Sequence, residues 1–182
     1  SVIVKLDGSH IETEIGAQLI AEGRDGHEIV FTSILDDRYG TGGVFDASND
    51  GLPVPGGVNV PTPGQWGGFY IGPESTLSMD NVLIAYGGGI TAVEGTFTAF
   101  NAVEIHQGQA RIANSVFEFN AGGFGGQAPD SRFGRGENEE AAIFVSDSQP
   151  IIIDNVFRNN TDADETTRIS AISINANSLS HE

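Results

Sequence analysis

Ile112-Ala113-Asn114-Ser115-Val116-Phe117-Glu118-Phe119-Asn120 decides how this chain is read. The chain repeats the pattern as Ile152-Ile153-Asp154-Asn155-Val156-Phe157-Arg158-Asn159-Asn160, and a looser copy runs Met79-Asp80-Asn81-Val82-Leu83-Ile84-Ala85-Tyr86-Gly87. In each copy an apolar residue comes first, a short amide or acid stands two later, and an aliphatic and large apolar pair follows. The copies start 33 and then 40 residues apart. Self-similarity at that period marks a stacked array, because one such unit cannot bury its apolar face alone.

A second element precedes the first. Phe69-Tyr70-Ile71, Val103-Glu104-Ile105, Ile143-Phe144-Val145 and Ile172-Ser173-Ile174 each follow a small residue: Gly68, Ala102, Ala142 and Ala171. Period-2 alternation turns the outer two apolar residues inward and the middle one outward. The first three lie roughly eleven residues ahead of the Asn or Asp position. One unit is therefore strand, turn, strand with Asn at the bend, then a return of variable length. Stacked at about 4.8 Å, the units place like above like: Phe69/Val103/Ile143/Ile172, Ile71/Ile105/Val145/Ile174 and Ile84/Phe117/Phe157. An amide ladder is expected at Asn81, Asn114 and Asp154, and a left-handed corner at Asn120 and Asn160.

The rest of the chain fits around these units. Residues 1–33 read as opening coils, with strands at Val2-Ile3-Val4-Lys5-Leu6 and Ile29-Val30-Phe31-Thr32-Ser33. Residues 34–65 hold seven Gly, four Pro and Asp36-Asp37, and read as an insertion loop without regular structure. Regular structure resumes at Trp66, expected to plug the coil where that loop rejoins. Residues 66–182 are repeat coils, interrupted by the Gly-rich insertion between Ala121 and Asn138. The whole of 1–182 is read as one domain, a segment of something longer, since the chain starts at Ser1 and shows no signal peptide.

Composition narrows the partners. With 25 acids against 8 bases the net charge is −17, and Lys5 is the sole lysine. Such a surface repels nucleic acid and anionic lipid. No apolar run approaches the roughly 18 residues of a membrane span. The absence of cysteine removes disulfides and thiolate metal sites.

These residues resemble the right-handed parallel β-helix repeat proteins of bacteria, on the Ile112–Asn120 unit, the Ile29–Ser33 strand followed by an acidic loop, and Trp66-Gly67-Gly68. The resemblance implies an all-β, right-handed parallel β-helix (β-solenoid) of about four to six coils with two long loop insertions. It also implies an extracellular or cell-surface setting, with neighbouring coils or domains of the parent chain as partners.

Each candidate for chemistry has an ordinary structural reading beside it. Asp46-Ala47-Ser48-Asn49-Asp50-Gly51 carries oxygen side chains at positions one, three and five with Gly at six, as in a calcium loop. Gly57 stands where the bidentate Glu belongs, so an EF-hand is excluded. Asp36 or Asp37 would complete a partial calcium site with Asp46, Ser48 and Asp50; the alternative is an Asx/Gly turn. Tyr70, Glu104, His106 and Phe144 point outward in a row, where they would either hold a glycan or lie under a loop. The four histidines show no metal-ligand spacing. The favoured function is a non-catalytic structural spacer with a glycan- or partner-binding face. The alternative is a polysaccharide lyase or glycoside hydrolase, which needs two carboxylates, or an Arg beside bound calcium, in one cleft; Arg111, Arg158 and Arg168 are the arginines available.

Overall fold

A computed structural model of the chain describes residues 1–40, 60–126 and 132–175. The described residues contain strands and turns and no helix, so the fold is all-β. Among the described residues no helix is long and apolar enough to cross a membrane.

Three parallel sheets hold all but two of the strands. The first sheet comprises β1 (Val2–Leu6), β4 (Ile29–Ser33), β7 (Val82–Ala85), β12 (Val116–Glu118) and β15 (Val156–Arg158), in that order. The second comprises β2 (Ile11–Thr13), β5 (Phe69–Ile71), β10 (Val103–His106), β13 (Ala141–Ser146) and β16 (Ser170–Ile174). The third comprises β3 (Gln18–Glu22), β6 (Thr76–Asp80), β11 (Gln109–Ala113) and β14 (Ile151–Ile153). Among the described residues the chain visits first, second and third sheet in a fixed cycle, broken only by an antiparallel hairpin of β8 (Gly89–Val93) and β9 (Thr96–Phe100). The Asn-centred copies stack in single file: Val116 sits between Leu83 and Val156, and Ile112 between Met79 and Ile152.

The core lies between the sheets, and the inward columns have the expected register. Phe69, Val103, Ile143 and Ile172 are successive partners, as are Ile71, Ile105, Val145 and Ile174. Ile84, Phe117 and Phe157 continue a column that begins with Val4 and Phe31. The Phe117 and Phe157 rings stack at 4.9 Å. Trp66 is fully buried, meets Phe69 edge-on at 5.3 Å and donates its indole N–H to the Ala85 carbonyl at 2.9 Å. That is the plug expected at the end of the insertion. A Cβ on Gly87 would lie 2.9 Å from the Trp66 ring, so glycine is what admits the indole.

Each corner turns through a left-handed residue. One column is Glu74, Gln107 and Asp147, at φ 57°, 56° and 50°. The second is Asn81, Asn114 and Asp154, at 50°, 49° and 55°; the third is Tyr86, Phe119 and Asn159, at 59°, 54° and 55°. The two Asn sets thereby exchange the roles expected of them. Asn81, Asn114 and Asp154 provide left-handed backbone, and the amides of Asn81 and Asn114 both donate to Asp80 Oδ1, at 2.7 and 2.9 Å, rather than stacking. The left-handed residue of the third corner falls one position before Asn120 and Asn160. Those two form the buried ladder: Asn120 Nδ2 donates to Asn160 Oδ1 at 3.0 Å, and Gly87 N–H donates to Asn120 Oδ1 at 2.9 Å. Each also returns a bond to a neighbouring strand, Asn120 to the Ile84 carbonyl and Asn160 to that of Phe117, both at 3.0 Å. The physical reason is burial: backbone groups leaving the sheet inside the corner need partners, whereas the exposed bend needs only a tolerant φ.

Candidate functional site

The outward row on the second sheet is the place to look, because two additions to the repeat converge on it. Register puts Glu12, Tyr70, Glu104, Phe144 and Ser173 in one column. The β8–β9 hairpin and the segment 132–140 lie over that column. Of the four residues expected to point outward for a glycan, Glu104 and Phe144 are completely buried, and Tyr70 and His106 nearly so. The row is covered by loop, one of the two readings the sequence allowed.

Glu104 is the centre of what they cover. Its Oε2 accepts from Arg132 Nη2 at 2.6 Å and contacts His106 Nε2 at 3.0 Å. Its Oε1 accepts from the Asn101 N–H at 2.9 Å and from Asn138 Nδ2 at 2.7 Å. Burial opposes the charge, yet the bonds from His106, Arg132 and Asn138 hold the carboxyl below the usual carboxylate range. Arg132 is fully buried as well and lies 4.6 Å over the Phe100 ring. Its Nη1 donates to the Gly136 carbonyl, while Nε has no partner. His106 stacks on Tyr70 at 4.9 Å and tilts against Phe144 at 5.4 Å. Burial, with Glu104 nearby, pushes the Tyr70 phenol up to about 12, so it remains a donor, bonded to the Arg135 carbonyl at 3.3 Å.

At the rim of this cluster a cleft of ≈ 370 Å³ opens between Glu12, Tyr70, Pro73, Phe133 and Arg135. A second of ≈ 220 Å³ shares Tyr70, Pro73 and Arg135 and continues past His106 to Glu137 and Asp147. Arg135 lines both. Its Nε and Nη2 both reach Glu12 Oε2 at 3.0 Å, and its Nη1 reaches Glu94 at 3.3 Å.

The remaining candidates lie elsewhere. Asp36 and Asp37 are buried against the outside of the first sheet. Asp36 accepts from Thr32 at 2.6 Å and holds Arg38 in a fork at 2.8 and 3.0 Å. Burial raises its pKa, but those bonds outweigh it and keep the carboxyl low. Lys5 Nζ donates to the Asp36 carbonyl. Arg38 also reaches Glu118 at 2.9 Å and is ringed by Tyr39, Tyr86 and Phe119 at 5.2 to 5.4 Å. Both oxygens of Asp36 are thus occupied by its own chain. Asp46, Ser48 and Asp50 lie outside the described residues. Among the described residues no three His, Asp or Glu side chains come together as a metal site.

Of the arginines considered for a lyase, Arg111 pairs with Asp80 at 2.8 Å on the exposed third sheet and Arg158 with Glu118 at 2.6 Å. Arg168 is exposed near β16. None of the three lines the cleft. Sequence reasoning missed Arg132, Arg135 and the hairpin. The hairpin had a signal in the alternating runs either side of Glu94-Gly95; the two arginines had none beyond being rare bases in an insertion.

Comparison of the chain with protein-family models, with curated proteins and with solved structures finds no match.

Proposed function

We propose that this chain is a right-handed parallel β-helix segment of a large bacterial secreted or surface protein, a rigid non-catalytic spacer with a glycan-binding face. The cyclic strand order and the constant register of the inward columns support the helix. One observation carries the non-catalytic part: the buried acids on the outer faces of the first and second sheets, and Glu12 at the cleft, are engaged by arginines. Glu104 is closed in with Arg132, Glu12 is held by Arg135, and Asp36 and Glu118 are held by Arg38. A general acid or base needs to reach its substrate within hydrogen-bond distance, and Glu104 and Asp36, each completely buried, have no path to one. The binding face is the cleft at the rim, displaced from the covered row to the residues around Tyr70 and Arg135.

The test is reducing-end release from a panel of acidic and neutral polysaccharides, with and without chelator. No release above a heat-denatured control is expected. Release would return the chain to the polysaccharide hydrolases and lyases.

A further inference from the structure

Resting on the glycan-binding part of that reading, we infer that the smaller cleft beside Arg135 seats one neutral sugar unit, a hydroxyl of which donates to Nδ1 of His106. The His106 side chain is 8% exposed, and its two ring nitrogens meet different surroundings. Nε2 lies against the buried Glu104 Oε2 at 3.0 Å. That carboxylate also accepts from Arg132, Asn138 and the Asn101 N–H, and ionised it accepts without donating. The hydrogen between the two residues therefore belongs to Nε2, and Nδ1 of the neutral ring is left as a bare acceptor. Tyr70 and Phe144 pack on the ring at 4.9 and 5.4 Å and hold it in this orientation.

Nothing among the described residues bonds to Nδ1. The Tyr70 hydroxyl donates instead to the Arg135 carbonyl. Among the described residues, the side-chain nitrogens and oxygens that are sealed from solvent without a partner are Arg132 Nε and Thr161 Oγ1. Nδ1 is thus open, and it opens on the cleft of ≈ 220 Å³ that His106 lines. Gly136 of the same wall faces it: a Cβ there would stand 3.4 Å from Nδ1 and 3.7 Å from Cε1. Glycine at φ 71° leaves that approach clear. The charged residues of the wall have partners within the chain. Arg135 holds Glu12 and Glu94, Glu137 accepts from Asn175, and Asp147 accepts from Ser146 at 3.4 Å. The nitrogen without a partner is neutral and accepts, which calls for an O–H donor rather than an ion. A hydroxyl also accepts, and Gln107 in the same wall carries amide N–H groups. The volume falls below the roughly 300–1,000 Å³ of drug-sized ligand sites, so the cleft takes one sugar unit and not a chain.

Imidazole nitrogen NMR of the full chain, with calorimetry on the same samples, decides the matter. The probes are the methyl glycosides of glucose, galactose and mannose, with glucosamine and glucuronate for comparison. In the free protein the His106 ring should carry hydrogen on Nε2 and none on Nδ1. At least one neutral glycoside should bind and move the His106 Nδ1 signal more than that of any other histidine. Gly136→Ala, whose methyl covers Nδ1, should weaken that binding about tenfold; if alanine at this backbone angle unfolds the chain, the His106 signals of the parent still decide. A hydrogen on Nδ1 would overturn the inference whatever binds. Glycoside binding that leaves His106 unmoved would also overturn it while keeping the glycan-binding face. Preference for glucosamine or glucuronate would overturn the neutral ligand. Binding of none of the five would remove the glycan-binding face itself, and the spacer reading would then stand on the cleavage assay.

Discussion

The space between the three parallel sheets and the outer face of the second sheet are both buried, but they are built on different principles. The interior is an apolar core dominated by columns of Phe, Ile and Val that pair with like residues on neighbouring strands. The exterior cluster is a charged pair, Glu104 and Arg132, with amides and aromatic rings closed around it by the β8–β9 hairpin and the segment 132–140. Burial of apolar columns stabilises roughly in proportion to area and tolerates exchange of one hydrophobe for another. A buried ion pair contributes little net stability, yet losing one partner strands the other charge. The interior should therefore yield gradually, and the exterior abruptly.

Arg132→Ala tests that difference at its largest. It leaves Glu104 buried and unpaired and should cost about 3–5 kcal/mol, read as a lowered urea midpoint. A companion Arg132→Met and Glu104→Gln double variant should recover most of the loss. Phe117→Ala removes a ring from the middle of a stacked column and should cost about 3–5 kcal/mol, whereas Phe117→Leu should cost less than half as much. If both Phe117 variants were equally damaging, the interior would be as unforgiving as the exterior and the contrast would fail.

Acid sharpens the comparison. Glu104 and Asp36 have folded-state pKa values below the ordinary carboxylate value. Their contribution is fully present above the unfolded values, near 4, and is lost as pH falls toward the depressed folded values. The melting temperature should hold from neutral pH down to about 5 and then fall. Glu104→Gln should flatten that fall, and Phe117→Leu should leave its shape unchanged.

The corners give smaller effects. Asn120→Ala strands the Gly87 N–H inside the corner and should cost about 1–3 kcal/mol. Asn114→Ala puts alanine at φ 49° on the exposed bend and should cost only about 1 kcal/mol. Reversal of that order in chemical denaturation would restore the ladder to the Asn114 column. Smallest of all is Arg111→Ala, whose exposed pair with Asp80 should be worth under about 1 kcal/mol.

What was legible in the sequence divides along the same line. Strand periodicity and a recurring Asn locate the inward columns to the residue, and the β-rich run Ile29–Ser33 has the bounds of its strand, because stacking makes each strand a constraint on the next. The exterior cluster comes from residues far apart in sequence, Glu104, Arg132, Asn138 and Phe100, brought together by loops with no period. Nothing in the local pattern distinguishes Arg132, wholly buried, from Arg168, exposed on the surface. The exchange between Asn114 and Asn120 was hidden for a related reason: asparagine suits both a left-handed bend and an amide ladder, and only burial separates the uses.

Neighbouring strands of the parallel sheets lie in register, and the lack of cysteine makes that register directly measurable. Arg111 and Ile151 are Cα partners on neighbouring strands of the third sheet, and both are exposed. Arg111→Cys with Ile151→Cys should form a disulfide on mild oxidation, since partnered strands lie within disulfide reach. Arg111→Cys with Ile153→Cys, two residues out of register, should stay reduced under the same conditions. Rapid closure of the first pair alone is the predicted result; equal closure of both, or closure of the second alone, would contradict the stack.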